Sequence, residues 1–276
     1  VNQWCRQKTG DNKKSFTHCV AIGKAAAAML QGMLDNSTSL KKSLLICPPS
    51  KITRPLKQNK NIICMASSHP VPDEKSIDAG ETLTKFLSSM DEDDELLFLI
   101  SGGTSALVEM HVESITLEQL QKINNYLLSS GMDIHRGNSW RQQFSKIKGG
   151  GLLNWIKTSS VTQLIISDVK LDKIEFIGSG LLVNSTTLPE PDDYLSTLVP
   201  PDNRPAEESK PAVQVNTVIV GNLNIAMQAV HQAAQAQGLA SMIHHEFLEG
   251  EASLVANKRY IQLKNAHPGI HIWGGE

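Results

Sequence analysis

The chain has 276 residues, 40% of them hydrophobic and 20% charged, enough for one large α/β domain or a domain and a half around a sizeable core. A formal net charge of -2, with the 26 basic residues dispersed, gives no electrostatic footprint for nucleic acid or an anionic membrane surface. No stretch approaches the roughly 20 apolar residues of a transmembrane helix, so the expected partner is a small molecule.

The opening, VNQWCRQKTGDNKK, lacks the apolar core of a signal peptide and does not begin with Met, so the chain is expected to be incomplete. Cys5, Cys19, Cys47 and Cys64 show no CxxC spacing. Three of them lie in apolar runs where a reduced thiol acts as a small hydrophobe, which points to the cytoplasm. HCVAI (18–22) reads as the first strand, followed by Gly23 and Lys24 and then an Ala-rich stretch that lets a helix pack closely on a sheet. A lysine in the first helical turn opposes the macrodipole, which is sensible where it meets an anion; the alternative is a surface lysine.

SLLIC (43–47) and NIICM (61–65) are the next expected strands, and Ile77, Leu83, Phe86, Leu87 and Met90 fall near one helical stripe. DEDDE (91–95) is a solvated turn or, less simply, a cation site. LLFLI (96–100) has no polar alternation and reads as a strand covered on both faces, as in a parallel sheet whose ligands bind beyond its carboxyl end. There the chain continues as Ser101, Gly102, Gly103, Thr104 and Ser105. Glycines allow close backbone approach and positive φ, so successive N–H groups and the hydroxyls form an anion site; a tight turn with a Ser/Thr cap is the rival.

Thr116 and Gln119 form a capping box before Leu120, Ile123 and Leu127. In DIHRGNSWRQQFSKIKGGGLL (133–153), Asn138, Arg141 and Ser145 share one helical face, with Lys148 near it. This is either a solvated stripe or a clamp for phosphate or carboxylate. QLIIS (163–167) ends on Ser167 and Asp168, where the aspartate holds Mg²⁺, acts as a base or caps a helix. The Pro-rich, acidic segment 188–212 reads as an exposed loop, and TVIVG (217–221) and IHIW (270–273) as strands. The adjacent residues His244, His245 and Glu246 would face opposite ways on a strand, which argues against a shared metal.

Strands alternating with helices imply an α/β fold with a parallel sheet wrapped on both sides. Standard nucleotide fingerprints are missing. GKA (23–25) has His18 where a P-loop needs glycine and Ala25 where it needs Ser or Thr, and GSGLLV (178–183) keeps only the first two glycines of GxGxxG. A serine hydrolase using Ser105, His135 and Asp168 would need a G-x-S-x-G elbow, which is absent.

VAIGKAAAAM, SSHPVPDEKSIDAG, LISGGTSALVEM, SGMDIHRGNSWRQQFSKIKGGGLL, LIISDV with IGSGLLV, and LEGEASLVA occur in the order found in the glycerate 2-kinase (type II glycerate kinase, MOFRL) family, which this sequence resembles over residues 18–276. The resemblance implies a Rossmann-like α/β/α sandwich over 1–265 and the start of a truncated C-terminal domain over 266–276, with the active site between the two domains. It further implies transfer of the ATP γ-phosphoryl to the 2-hydroxyl of D-glycerate with Mg²⁺. By the same resemblance Lys24, Arg141 and Asp168 are catalytic, Asp168 is the metal ligand, and Ser101 to Ser105, Asn138 and Lys148 bind the cofactor.

Lys24, Arg141 and Lys148 would hold carboxylate and phosphate oxygens, and Asp168 would hold Mg²⁺ or orient the hydroxyl. A homodimer is compatible with this reading.

The sequence departs from the family pattern at several places. Thr104 replaces a third glycine, where a side chain would disfavour positive φ, and Gln142 stands where lysine is usual. Leu171 and Asp172 occupy the place of a Gly-Asp turn, and Leu181 and Asn184 that of Pro and Asp. GIHIWGGE resembles the opening of the C-terminal domain, so the chain is expected to be a fragment that is inactive by itself. Hydroxypyruvate reductase, a label attached to some relatives, and a domain that binds without turnover are the alternatives.

Overall fold

The computed structural model describes residues 1–7, 15–37, 39–185, 188–198 and 213–275. In chain order the elements are α1 (Asn2–Gln7), β1 (His18–Ile22), α2 (Ala26–Leu34), β2 (Lys42–Cys47), α3 (Arg54–Gln58), β3 (Ile62–Ala66), α4 (Glu74–Ser88), β4 (Leu96–Ile100) and α5 (Thr104–Leu107). There follow α6 (Leu117–Ser129), α7 (Ile134–Gln143), β5 (Ser160–Ile166), β6 (Gln214–Gly221), α8 (Leu223–Ala236), β7 (Ser241–Leu248), α9 (Ala252–Lys264) and β8 (Ile270–Gly275). Much of the expected 188–212 loop, residues 199–212, lies outside the described residues, as does Glu276.

The chain divides into two compact units. One comprises 1–166 with 173–220 and the other 167–172 with 221–276.

The first unit is built on a six-stranded sheet in the order β3-β2-β1-β4-β5-β6. β1 pairs in parallel with β2 and β4, β2 with β3, and β4 with β5, so the mostly parallel α/β fold read from the sequence is the fold observed. Ile22 lies opposite Ile46 and Ile100, which makes the carboxyl ends of the three central strands flush. Every residue of β1 and β4 is buried, as their unbroken apolar runs require. The order reverses between β1 and β4, the topological switch point at which open α/β sheets bind ligands.

The helices follow their local signals. Asp73 and Ser76 form a capping box on α4, and Thr116 and Gln119 form the expected one on α6. α4 buries Ala79, Gly80, Leu83, Phe86 and Leu87, whereas Met90 falls beyond its end. α6 and α7 share a second apolar cluster in which Leu120, Ile123, Leu127, Trp140 and Phe144 pack together. Most of the acidic run before β4 is the expected solvated turn, with Asp91, Glu92 and Asp93 exposed and the last two in the turn itself. Asp94 is buried and accepts hydrogen bonds from the Thr17 hydroxyl (3.0 Å) and the Asp91 N–H (3.0 Å).

Two expectations of local structure change. α7 ends at Gln143, so Ser145 and Lys148 do not continue its face; His111 and Ser145 instead form an antiparallel bridge. α2 begins at Ala26 with Ala25 as its cap, so Lys24 precedes the helix instead of occupying its first turn.

The second unit contains α8, β7, α9 and β8, with β7 and β8 paired in parallel. β7 escaped the sequence reading because SMIHHEFL is interrupted by three polar residues. Two of them have specific partners: His244 stacks on Trp273 at 4.1 Å and meets His271 at 2.9 Å, and Glu246 pairs with Arg259 at 2.7 Å. Among the described residues no three His, Cys, Asp or Glu side chains group as metal ligands.

Candidate active site at the switch point

The loops after β1 and β4 are joined directly. The Lys24 N–H donates to the Gly102 carbonyl (2.9 Å), the Ser101 N–H to the Ile22 carbonyl (3.0 Å), and the Ala25 N–H to the Ser101 hydroxyl (3.0 Å). Gly23, at φ +129°, is what permits this approach, since a Cβ there would stand 2.6 Å from the Ser101 carbonyl oxygen.

The Thr104 side chain meets no positive φ. The positive φ falls on Gly103 (+87°), and Thr104 opens α5 with ordinary helical geometry. Its buried hydroxyl lies 3.0 Å from the Ile22 carbonyl and 2.7 Å from that of Ser101, tying the ends of β1 and β4. Among the described residues, the N–H groups of Gly102 and Gly103 have no hydrogen-bond acceptor. Lys24 is exposed beside them, its Cγ only 3.2 Å from where a Gly103 Cβ would lie.

His69 belongs to the same rim. Its Cδ2 and Nε2 lie 2.8 Å and 3.1 Å from that Gly103 Cβ position, in the loop between β3 and α4. The residue reading passed over it because a lone histidine in SSHPVPD carries no periodic signal. Only contact with the glycine loop reveals it.

A second wall is formed by α7 and the turn at Ile177–Ser179. The Ser105 and Ser179 hydroxyls are 2.8 Å apart, Ser179 donates to Asn138 Oδ1 (3.1 Å), and Arg141 Nη1 donates to the same oxygen (3.4 Å). This chain of contacts connects the SGGTS loop to the cation on α7. Asn138 is buried and Arg141 half-buried, so the solvated-stripe reading fails. Burial pulls the Arg141 guanidinium below its ordinary pKa, with Glu109 opposing that shift. Gln142, which stands where the family pattern has a lysine, is buried; its amide donates to the Ser179 carbonyl at 3.3 Å, and its Oε1 has no partner among the described residues.

Lys148 is in this wall but is not a free cation. Its Nζ sits 2.5 Å from Glu109 Oε2, and both side chains are only 1% exposed. Glu109 is the second residue that sequence reasoning missed; the bridge that pairs it with Lys148 has no local signature. The serine hydrolase constellation does not form, because Ser105 is engaged with Ser179 and His135 packs edge-on against Phe176 at 4.4 Å.

Asp168 belongs to the second unit, where it is exposed, and it caps no helix. A single exposed carboxylate suits Mg²⁺ as one donor beside phosphate oxygens and water, the usual composition of such sites. The turn that follows places Leu171 at φ 62° and Asp172 at φ 54°. A left-handed turn therefore survives where the family pattern has glycine, and Asn222 donates to Asp172 at 2.5 Å to hold it.

Comparison with known proteins places these features. A domain of unknown function, DUF4147, matches residues 1–204. A glycerate 2-kinase of Pyrococcus horikoshii is 32% identical over 87% of this chain and 57% of its own length. A putative hydroxypyruvate reductase of Agrobacterium vitis is 31% identical over 85% of this chain and 63% of its own. The crystal structure of a glycerate kinase from Thermotoga maritima superposes with a TM-score of 0.76 at 23% identity, covering 100% of this chain and 70% of that one, which bears on the fold. The chain thus spans less than two thirds of the length of the curated relatives described.

Proposed function

The chain belongs to the DUF4147 family, and from that premise we propose that the protein is an ATP-dependent phosphotransferase acting on the 2-hydroxyl of D-glycerate. The observation that supports the reading is the chain of contacts that runs from the Lys24–Gly102 loop at the β1/β4 switch point through Ser105, Ser179 and Asn138 to Arg141. Phosphoryl transfer requires positioning and charge neutralisation more than covalent help from the protein. In this reading the loop amides and Lys24 take phosphate oxygens, and Arg141, braced by Asn138, takes a carboxylate or phosphoryl oxygen. Ser101 and Thr104 hold the loop's shape, and Ser105 links it to the second wall.

Asp168 would be a ligand of Mg²⁺, which when bound neutralises charge on the nucleotide phosphates. We place the activity in the cytoplasm and in the longer protein that the relatives exemplify. A homodimer is compatible with it. The reductase reading is supported by the name of one relative. Against it, Gly178 lies inside a 3-10 turn and Gly180 just beyond it, away from any strand-to-helix turn that would seat a pyrophosphate.

The test is a coupled assay of the full-length gene product with D-glycerate and ATP, scoring 2- against 3-phosphoglycerate. Lys24→Met is expected to abolish turnover while leaving the melting temperature unchanged, since Lys24 is exposed and only its backbone serves the fold. An active Met variant removes Lys24 from the mechanism.

A further inference from the structure

The loop between β3 and α4 is pinned on either side of His69. Before it, the buried Ser67 donates from its N–H to the Cys47 carbonyl at the end of β2 (3.1 Å) and from its hydroxyl to the Leu107 carbonyl at the end of α5 (2.7 Å). After it, the Gln121 amide of α6 donates to the Pro72 carbonyl (3.1 Å), and Asp73, which caps α4, also accepts the Ser68 hydroxyl at 2.5 Å. Gly103 caps the start of α5 and Leu107 ends it, so the Ser67 bond fastens the histidine loop to the element that follows the glycine loop.

The His69 ring is exposed, yet it lies against the glycine backbone. A Cβ on Gly103 would stand 2.8 Å from its Cδ2 and 3.1 Å from its Nε2, so a bare glycine is needed for the ring as well as for the φ of +87°. The same point is 3.2 Å from Lys24 Cγ, which makes His69 and Lys24 neighbours at one glycine. The Gly102 and Gly103 N–H groups have no acceptor among the described residues. An exposed ring contributes little to stability. A firmly anchored loop that holds such a ring beside unpaired amides is instead what a binding group requires.

An imidazole with its proton on Nε2 donates to an anionic oxygen, and such charge-assisted bonds are the strong ones. We propose that His69 is a phosphate-binding residue of the site, donating from Nε2 to an oxygen of the nucleotide phosphates that the Gly102 and Gly103 amides and Lys24 also hold. This rests on the kinase reading.

Two variants separate hydrogen bonding from packing. His69→Gln keeps an N–H donor near the place of Nε2 without the ring, and His69→Phe keeps the ring without the donor. The full-length protein is used with Mg²⁺, and the KM for ATP and the Kd of the non-hydrolysable analogue AMP-PNP are measured beside the KM for D-glycerate and the melting temperature. His69→Phe is expected to raise the KM for ATP and the Kd about 10- to 100-fold, the loss of one hydrogen bond to a charged group. His69→Gln is expected to stay within about 5-fold of wild type, because its donor remains. Both should melt with the wild type, since the ring is exposed.

A Phe variant with wild-type values means that the ring only packs against Gly103, and it overturns the proposal. So do equal defects in the Phe and Gln variants, or a defect confined to the KM for D-glycerate. A wild type that binds AMP-PNP without phosphorylating D-glycerate overturns the kinase reading, and the three dissociation constants then decide on His69 by the same criteria. A wild type that neither turns over nor binds AMP-PNP overturns both.

Discussion

Gly23→Ala tests whether the β1 and β4 loops are held together by the contact described. The new methyl would lie 2.2 Å from the Ser101 Oγ and 2.6 Å from the Ser101 carbonyl oxygen, at φ +129°. The hydroxyl can rotate away, but only by giving up its bond from the Ala25 N–H, about 1 kcal/mol. The carbonyl belongs to the end of a fully buried strand and can move only with it, an overpacking cost of about 1–3 kcal/mol.

Positive φ adds about 1–2 kcal/mol for a residue with a Cβ, and restriction of the unfolded chain returns about 0.4–1 kcal/mol. The net loss is about 3–5 kcal/mol. Gly131→Ala is the control, at φ +70° with nothing within 4 Å of the new methyl. It bears only the backbone part, about 1 kcal/mol. For a domain of this size each kcal/mol moves the thermal midpoint by about 2–4 °C. Gly23→Ala should therefore melt about 4–16 °C below Gly131→Ala by calorimetry. Equal midpoints would mean that the two loops are not in the contact from which the site is built.

Two other measurements address the second unit. Leu171 is 81% exposed at φ 62°, so Leu171→Gly forfeits little burial. It removes about 1–2 kcal/mol of left-handed strain against about 0.5–1 kcal/mol of added chain entropy, for a net gain of about 0.5–1 kcal/mol in urea unfolding; a loss would show that the side chain is held by packing. Burial and the neighbouring His271 hold the His244 pKa below its ordinary 6.5. The unfolded chain then binds the extra proton first, so stability is full above pH 6.5 and falls as pH drops through the folded pKa. The pH dependence of melting between 5 and 7.5 should flatten in His244→Phe, and an unchanged slope would refute the assignment.

The sheet was legible because its central strands are buried on both faces, which leaves them no polar alternation and makes their ends easy to see. HCVAI and LLFLI coincide with β1 and β4, and the capping box at Thr116 marks the start of α6. β7 was not legible, since two of its polar residues, His244 and Glu246, are satisfied by Trp273, His271 and Arg259, partners supplied by later elements. The reversal of strand order between β1 and β4 was hidden as well, because neighbour relations in a sheet are long-range. Yet it is this reversal that gives meaning to a glycine after each of those two strands.

The candidate site divides along the same line. Lys24 and Ser101 to Ser105 follow strands directly, so reading the strands was enough to place them on one rim. Asn138 and Arg141 were grouped by helical spacing, and the helix does carry them side by side, where the Asn138 amide oxygen accepts from both Arg141 and Ser179. Extending that spacing to Ser145 and Lys148 failed because the chain leaves the helix at Gln143 and turns into a bridge with His111.

The difference changes the chemistry of the lysine. On a helical stripe Lys148 would be a mobile, solvated cation beside Arg141, adding charge to a clamp. In the bridge it is sealed against Glu109, and the charge available to a ligand on that wall falls from two to one. On the proposed reading the exposed lysine on the loop side is assigned to phosphate oxygens, which leaves one guanidinium on the α7 side for the single carboxylate of D-glycerate. That is why the KM for D-glycerate, more than the KM for ATP, is the quantity on which Arg141 should register.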